Sequence, residues 1–311
     1  MAARATRSAS RKARVTEAVA TGPLGALSHD ELGVIVDGLA DPLEPAVAVA
    51  LSSTCLGLRT PLQVALEVLK ERHARAVALC DKVAMNCAEL RDAEELSGHH
   101  KGLTGDHLAT LGMLLHKWLP RLQELNLYSV PFGDAGMHAL CEGLGRGAAP
   151  SLLELDVGAN NIRPAGAEAL AAALRRGAMP KLEALGLWFN PIGKQGVAAL
   201  AAPLRKLPAL KFLGLVDCEI GDEGVASLVA NLGKDDFKAL ELLNLRNNAL
   251  TDAGCATLIA AMKSGAMPSL KSGELDLGDN DAASDEAKCA VDEALDRALD
   301  VRLGVSRAAD L

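Results

Sequence analysis

Aromatic side chains are scarce in this sequence, which has two Trp, one Tyr and four Phe among 311 residues. Half of the residues are nevertheless apolar, so the core has to be layered from Leu, Ala and Val. Long hydrophobic runs are missing too. The longest uncharged stretch, Pro45 to Leu58, is too short and too polar to span a bilayer, and the expectation is a soluble cytoplasmic or nuclear protein without a membrane partner. Basic charge is not in excess. The formal net charge of −8 argues against a nucleic-acid partner, which needs a clustered basic face. The seven cysteines, Cys55, Cys80, Cys87, Cys141, Cys218, Cys255 and Cys289, are odd in number and contain no C-x-x-C pair. They read as small buried residues in a reducing compartment, not as a disulfide framework. There is no G-x-x-x-x-G-K-[ST] loop, no G-x-G-x-x-G fingerprint and no nucleophile elbow. The expectation is a non-enzymatic chain without catalytic residues, cofactor or metal.

What is present is a register. Leu122, Leu152, Leu182, Leu210 and Leu240 open five units at spacings of 30, 30, 28 and 30 residues. Each unit begins L-x-x-L-x-[LV]-x-x-[NCV]-x-[ILF] and then carries a glycine and a second leucine: Gly136/Leu140, Gly166/Leu170, Gly196/Leu200, Gly224/Leu228 and Gly254/Leu258. A period this long and this faithful means a solenoid of stacked units, whose function lies on a surface.

Within a unit, the alternation Leu185/Leu187 predicts a short strand with both leucines on one face, leaving Ala184, Gly186 and Trp188 on the other. Asn190, matched by Asn160, Asn248 and Asn280, falls where the chain leaves the strand, and its amide suits the unpaired backbone groups of that turn. Cys218 and Val130 replace it in two units, where looser or hydrated turns are expected. The second half of each unit reads as a helix, as in Pro164 to Gly177, with proline in its first turn and glycine past its end. The recurring helix glycine, Gly166 and its equivalents, is best explained by close approach to a neighbouring strand or turn.

The pattern L-x-x-L-x-L-x-x-N-x-[IL]-x-x-x-G-x-x-x-L with a full helix per unit resembles the ribonuclease-inhibitor-like class of leucine-rich repeats, over roughly residues 101 to 295. That resemblance implies an α/β fold: a leucine-rich-repeat solenoid, or horseshoe, with a parallel inner sheet and outer helices. Repeats are expected over 101–281. The segment Leu103 to Leu111 reads as a helical half-coil before the first strand, and residues 282–311 as a C-terminal capping helix, opened at Ser284 and reaching about Leu303, with a tail.

The N-terminal hundred residues lack this period, and a small all-helical region is expected there. Residues 1–22 read as a disordered basic tail, an organellar targeting signal being the alternative. Ser28 to Glu31 forms a capping box ahead of Leu32, Ile35 and Leu39 on one helix face, Asp41-Pro42 ends that helix, and Pro45 starts a second apolar stretch. Over 23–60 the series Leu27, Leu32, Ile35, Leu39, Leu51 and Cys55 resembles an F-box, the helical module that docks on the adaptor of cullin-type ubiquitin ligases, although Leu56-Gly57-Leu58 stands where a bulky aromatic usually follows. The resemblance implies adaptor docking through Leu32, Ile35 and Leu39. Its rival is a structural cap. Residues 61–100 are expected to be a long helix capping the solenoid, and His99, His100, His107 and His116 at its end to be solvated rather than a zinc site.

Three of the seven aromatics, Tyr128, Trp188 and Phe212, fall on outward strand positions, and Phe189 adjoins Trp188. With Val216 and Arg246 they are the candidate protein-binding residues on the concave face, because aromatics and arginine are the usual interface anchors. The expected function is a protein-interaction module, with an F-box making it the substrate receptor of a ubiquitin ligase. The Ran-type GTPase-activating proteins resemble the same repeat class but typically carry a strongly acidic tail, whereas residues 284–311 mix Lys288, Arg297, Arg302 and Arg307 with acids. Inhibition of a nuclease or other enzyme is a third reading, weakened by the mixed charge of the inner face.

Overall fold

The computed structural model describes residues 34–35, 39–54, 63–230, 232 and 236–303. Leu32, the capping box, the basic tail and Cys55 lie outside the described residues. The chain divides into two compact units, one of residues 1–80 with 86–88 and one of 81–85 with 89–311.

In the second unit seven strands form one parallel sheet in sequence order: β1 Glu95–Ser97, β2 Glu124–Asn126, β3 Glu154–Asp156, β4 Ala184–Gly186, β5 Phe212–Gly214, β6 Leu242–Asn244 and β7 Leu275–Asp276. The helices that follow them run Gly105–Lys117, Gly133–Glu142, Pro164–Arg175, Gly193–Arg205, Gly221–Val229, Asp252–Lys263 and Asp285–Leu303, each packed on the next. The period-two alternation sets this arrangement. Leu125, Leu155, Leu185, Leu213 and Leu243 are buried in register between sheet and helices, so the residues flanking each face outward. Adjacent strands sit about 4.8 Å apart and packed helices about 8–10 Å apart, so the stack bends with its sheet on the inner side. This is a leucine-rich-repeat solenoid of α/β class.

Buried asparagines tie each coil to the one before it. Asn190 Nδ2 donates to the carbonyls of Leu187 and, one coil back, Val157, both at 2.9 Å, while its Oδ1 accepts from the amides of Asn160 and Ile162 at 3.0 and 2.9 Å. Asn248 and Asn280 repeat the pattern, and Asn160 does so with Val130 as the single amide on its Oδ1. The turn at Cys218 is not loose, contrary to expectation. Its thiol is fully buried and donates to the carbonyls of Leu187 and Val216 at 3.3 and 3.4 Å, and burial pushes its pKa up to about 12. The helix glycines answer close packing: a Cβ on Gly166 would stand 2.6 Å from Asp134 Oδ1 in the preceding coil and 2.8 Å from Ile162 in its own turn. Asp134 is there because its Oδ1 accepts from the amides of Arg163 and Gly166 at 2.7 and 2.8 Å, capping the next coil's helix.

The sheet begins earlier than the leucine pattern. The expected long helix over 61–100 ends at Val83; Ala84 follows in left-handed backbone (φ 60°), Asn86 Oδ1 accepts the amide of Ala88 at 2.9 Å, and a short helix Cys87–Asp92 leads into β1. The expected half-coil at Leu103 therefore belongs to a full coil, and the repeats start at Glu95 instead of 101. At the other end the capping helix holds Val291, Ala294 and Leu295 buried.

The described part of the first unit is helical, with a helix Ala46–Thr54 and most of a helix Gln63–Val83. Leu43 N–H bonds to Asp41 Oδ1 at 2.8 Å in the turn ahead of the first of these helices, and His73 Nδ1 lies 2.7 Å from the Pro42 carbonyl oxygen.

Candidate interaction face

The outward face of the sheet presents three rows across the strands. The first runs Glu95, Glu124, Glu154, Ala184, Phe212, Leu242; the second Ser97, Asn126, Asp156, Gly186, Gly214, Asn244, Asp276. Two residues further along lie His99, Tyr128, Gly158, Trp188, Val216, Arg246 and Gly278.

Trp188 lies flat on this face over three glycines. A Cβ on Gly186 would meet the indole at 2.7 Å, and Cβ atoms on Gly158 and Gly214 would overlap its pyrrole and benzo edges. Gly158, Gly186 and Gly214 are thus the floor of an indole site, and Trp188 is half-buried by it. Phe212 meets the indole edge-on, with ring centroids 5.8 Å apart at 65°, an arrangement aromatic quadrupoles favour. The exposed aromatic is Phe189, at 48 %. It occupies the turn position shared by Ser129, Ala159, Asp217, Asn247 and Asp279, all with φ between 52° and 58°. Left-handed backbone costs a bulky residue roughly 1–2 kcal/mol, and Phe is held there with about half of its surface left in water.

Tyr128, Trp188, Phe189 and Val216 line one open depression of about 560 Å³ with Ser97, His99, Asn126 and Asp156. Phe212 joins it only through Trp188. Arg246 does not line it and is instead held by Asp279 at 2.6 Å. His99 Nδ1 is 2.8 Å from the Tyr128 carbonyl oxygen, and the two rings lie 5.6 Å apart. His107 belongs to the Thr104 capping box and His116 lies beside Gly145, apart from His99 and His100, whose ring centroids are 3.7 Å from each other. Among the described residues no group of three or more His, Cys, Asp or Glu is placed to hold a metal ion.

The first row is electrostatically unusual. Glu95, Glu124 and Glu154 are exposed and in register on adjacent strands. Desolvation and then the charges of Glu95 and Glu154 raise the pKa of Glu124. Asp156, half-buried behind Glu154, is also raised, mainly by burial, against a bond from the Gly158 amide. Glu95 and Ser97 are not evident from the leucine pattern, and His99 reads there only as a junction histidine; the signal was Glu95-Leu96, which matches Glu124-Leu125 in register. Ile35 is half-buried and Leu39 is 39 % exposed.

Comparison with known proteins agrees with the repeat geometry. Residues 148–171, 206–229 and 240–258 match the family described as Leucine Rich repeat. No curated protein matches the chain in sequence. Among solved structures, the complex of Rad7 and Elc1 in yeast aligns over 91 % of this chain and 83 % of that one, with 15 % identity and a TM-score of 0.30. At that distance neither role nor partner transfers. Among the described residues no helix is long and apolar enough to cross a membrane.

Proposed function

We propose that this chain is a non-catalytic protein-interaction module that grips a partner through the sheet face of its repeats. The observation that carries the reading is Phe189. One of only seven aromatics stands exposed in left-handed backbone beside an indole laid on a glycine floor. Exposed aromatics at the centre of a rigid concave surface lose their water on contact and dominate interface energies. The remaining positions, Tyr128, Phe212 and Val216, supply surrounding contact area, and Arg246 a charge at the rim. Affinity purification with full-length protein and with Phe189→Ala tests this: a partner retained equally by both removes the basis of the reading.

The second reading concerns the N-terminal unit, proposed as an F-box-like dock for the adaptor of a cullin ubiquitin ligase, with the repeats as the substrate receptor. Its support is a concentration of exposed apolar side chains. Of the eight large exposed hydrophobics among the described residues, seven, including Val34, Leu39, Val47 and Val49, fall between residues 34 and 77, the kind of apolar surface that marks an interaction site. The full chain should recover adaptor and cullin, and a form starting at Thr60 should not. Recovery of neither by the full chain would leave these helices a cap.

A further inference from the structure

The charge of the sheet face narrows what it takes. We propose that it docks a basic segment of the partner, seating an apolar side chain against Phe189 and Trp188 and Lys or Arg side chains over the row Glu95, Glu124 and Glu154. This rests on the reading of the sheet face as the binding surface and adds the chemistry of the occupant.

The outward positions of β1 to β7 carry Glu95, Glu124, Glu154, Asp156 and Asp276, with Glu274 just ahead of β7, against a single cation, Arg246, which Asp279 already holds, so the face is acidic and not mixed in charge as the sequence suggested. Acids just beside the row are neutralised within the protein: Arg121 Nη2 is 3.0 Å from Glu94, and Lys211 Nζ is 2.7 Å from Glu183. Among the described residues no cation forms an ion pair with Glu95, Glu124 or Glu154. Like charges directly opposite on neighbouring strands destabilise a sheet, and three in a row concentrate a negative potential beside the depression, whose lining begins one row further along the strands at Ser97, Asn126 and Asp156. Cationic groups relieve that repulsion and are steered to it.

Geometry sets the spacing. From Glu124 to Trp188 is two strands across and four residues along, about 16 Å at ~4.8 Å per strand and ~3.3 Å per residue. An extended segment covers this in roughly five residues. The favoured occupant therefore carries its Lys or Arg residues about four to six positions from a large apolar side chain.

Selection of a display library of random linear peptides on the full-length protein tests this, followed by titration of one synthesised winner. Enriched peptides should show that spacing. Binding should weaken with added salt, fall about tenfold or more in the triple variant Glu95→Gln, Glu124→Gln, Glu154→Gln, and fall likewise in Phe189→Ala. The triple variant loses only repulsion, so its thermal transition should not drop. Peptides that depend on Phe189 but are neutral or acidic and indifferent to salt would overturn the basic occupant while leaving the binding face. Enrichment of none, or of peptides indifferent to Phe189→Ala, would overturn the binding face itself.

Discussion

Trp188 occupies the space that a side chain at Gly158 would need, so the two positions are coupled across β3 and β4. Gly158→Ala should lift the indole from its floor and destabilise the protein by about 1–3 kcal/mol, as overpacking does. In a Trp188→Ala background the same change should cost nothing or stabilise, since the clash is gone. Denaturant unfolding of the four proteins in this cycle measures the coupling; additive effects would mean the indole does not lie on the glycines.

The asparagine ladder makes a second prediction. Asn190→Ala leaves the amides of Asn160 and Ile162 and two carbonyls without their buried partner. The expected loss is about 3 kcal/mol or more. Hydrogen exchange should accelerate at 160 and 162, in the coil preceding the substitution. Acceleration confined to residues 182–209 would contradict a core shared between coils.

A third follows from the glutamate row. Because the folded-state pKa of Glu124 is raised, the folded protein binds this proton at a higher pH than the unfolded chain does. Stability from this group is then fullest at low pH and is lost as pH rises through the raised value. Glu124→Gln should lift the melting temperature at pH 7 by about one to two degrees. The gain should vanish as pH falls past the ordinary glutamate value of 4.5. An equal gain at all pH values would assign it to something other than charge.

How legible these features were in the sequence depended on whether a residue's role is periodic. The strands β2 to β6 and their helices announce themselves, since every coil repeats Leu125 and Leu140 or their equivalents. β1 did not, because Gly98 stands where Leu127 does in the next coil and Ala93 replaces the leading leucine. The missing volume is supplied by Leu103 and Leu127, whose methyls would lie 2.6 and 2.9 Å from a Cβ at 98. The aromatics on the sheet face were visible by their register, but which one faces water was not. Trp188 and Phe189 differ by one residue, and only the turn's left-handed backbone and three glycines on separate strands decide that the indole lies down and the phenyl stands out. The exposed row of glutamates needed β1 in place before its third member could be seen.

Whether the sheet face is the working surface is decided most directly by site-specific photocrosslinking. Benzoylphenylalanine replaces Phe189 in one full-length protein and Glu168, exposed on the helix Pro164–Arg175, in another, and both are irradiated in cell extract. A discrete protein adduct should form from position 189, disappear when Trp188→Ala is added, and be absent from position 168. The same adduct from position 168, with none from 189, would put the partner on the helical side and contradict the sheet face as the binding surface.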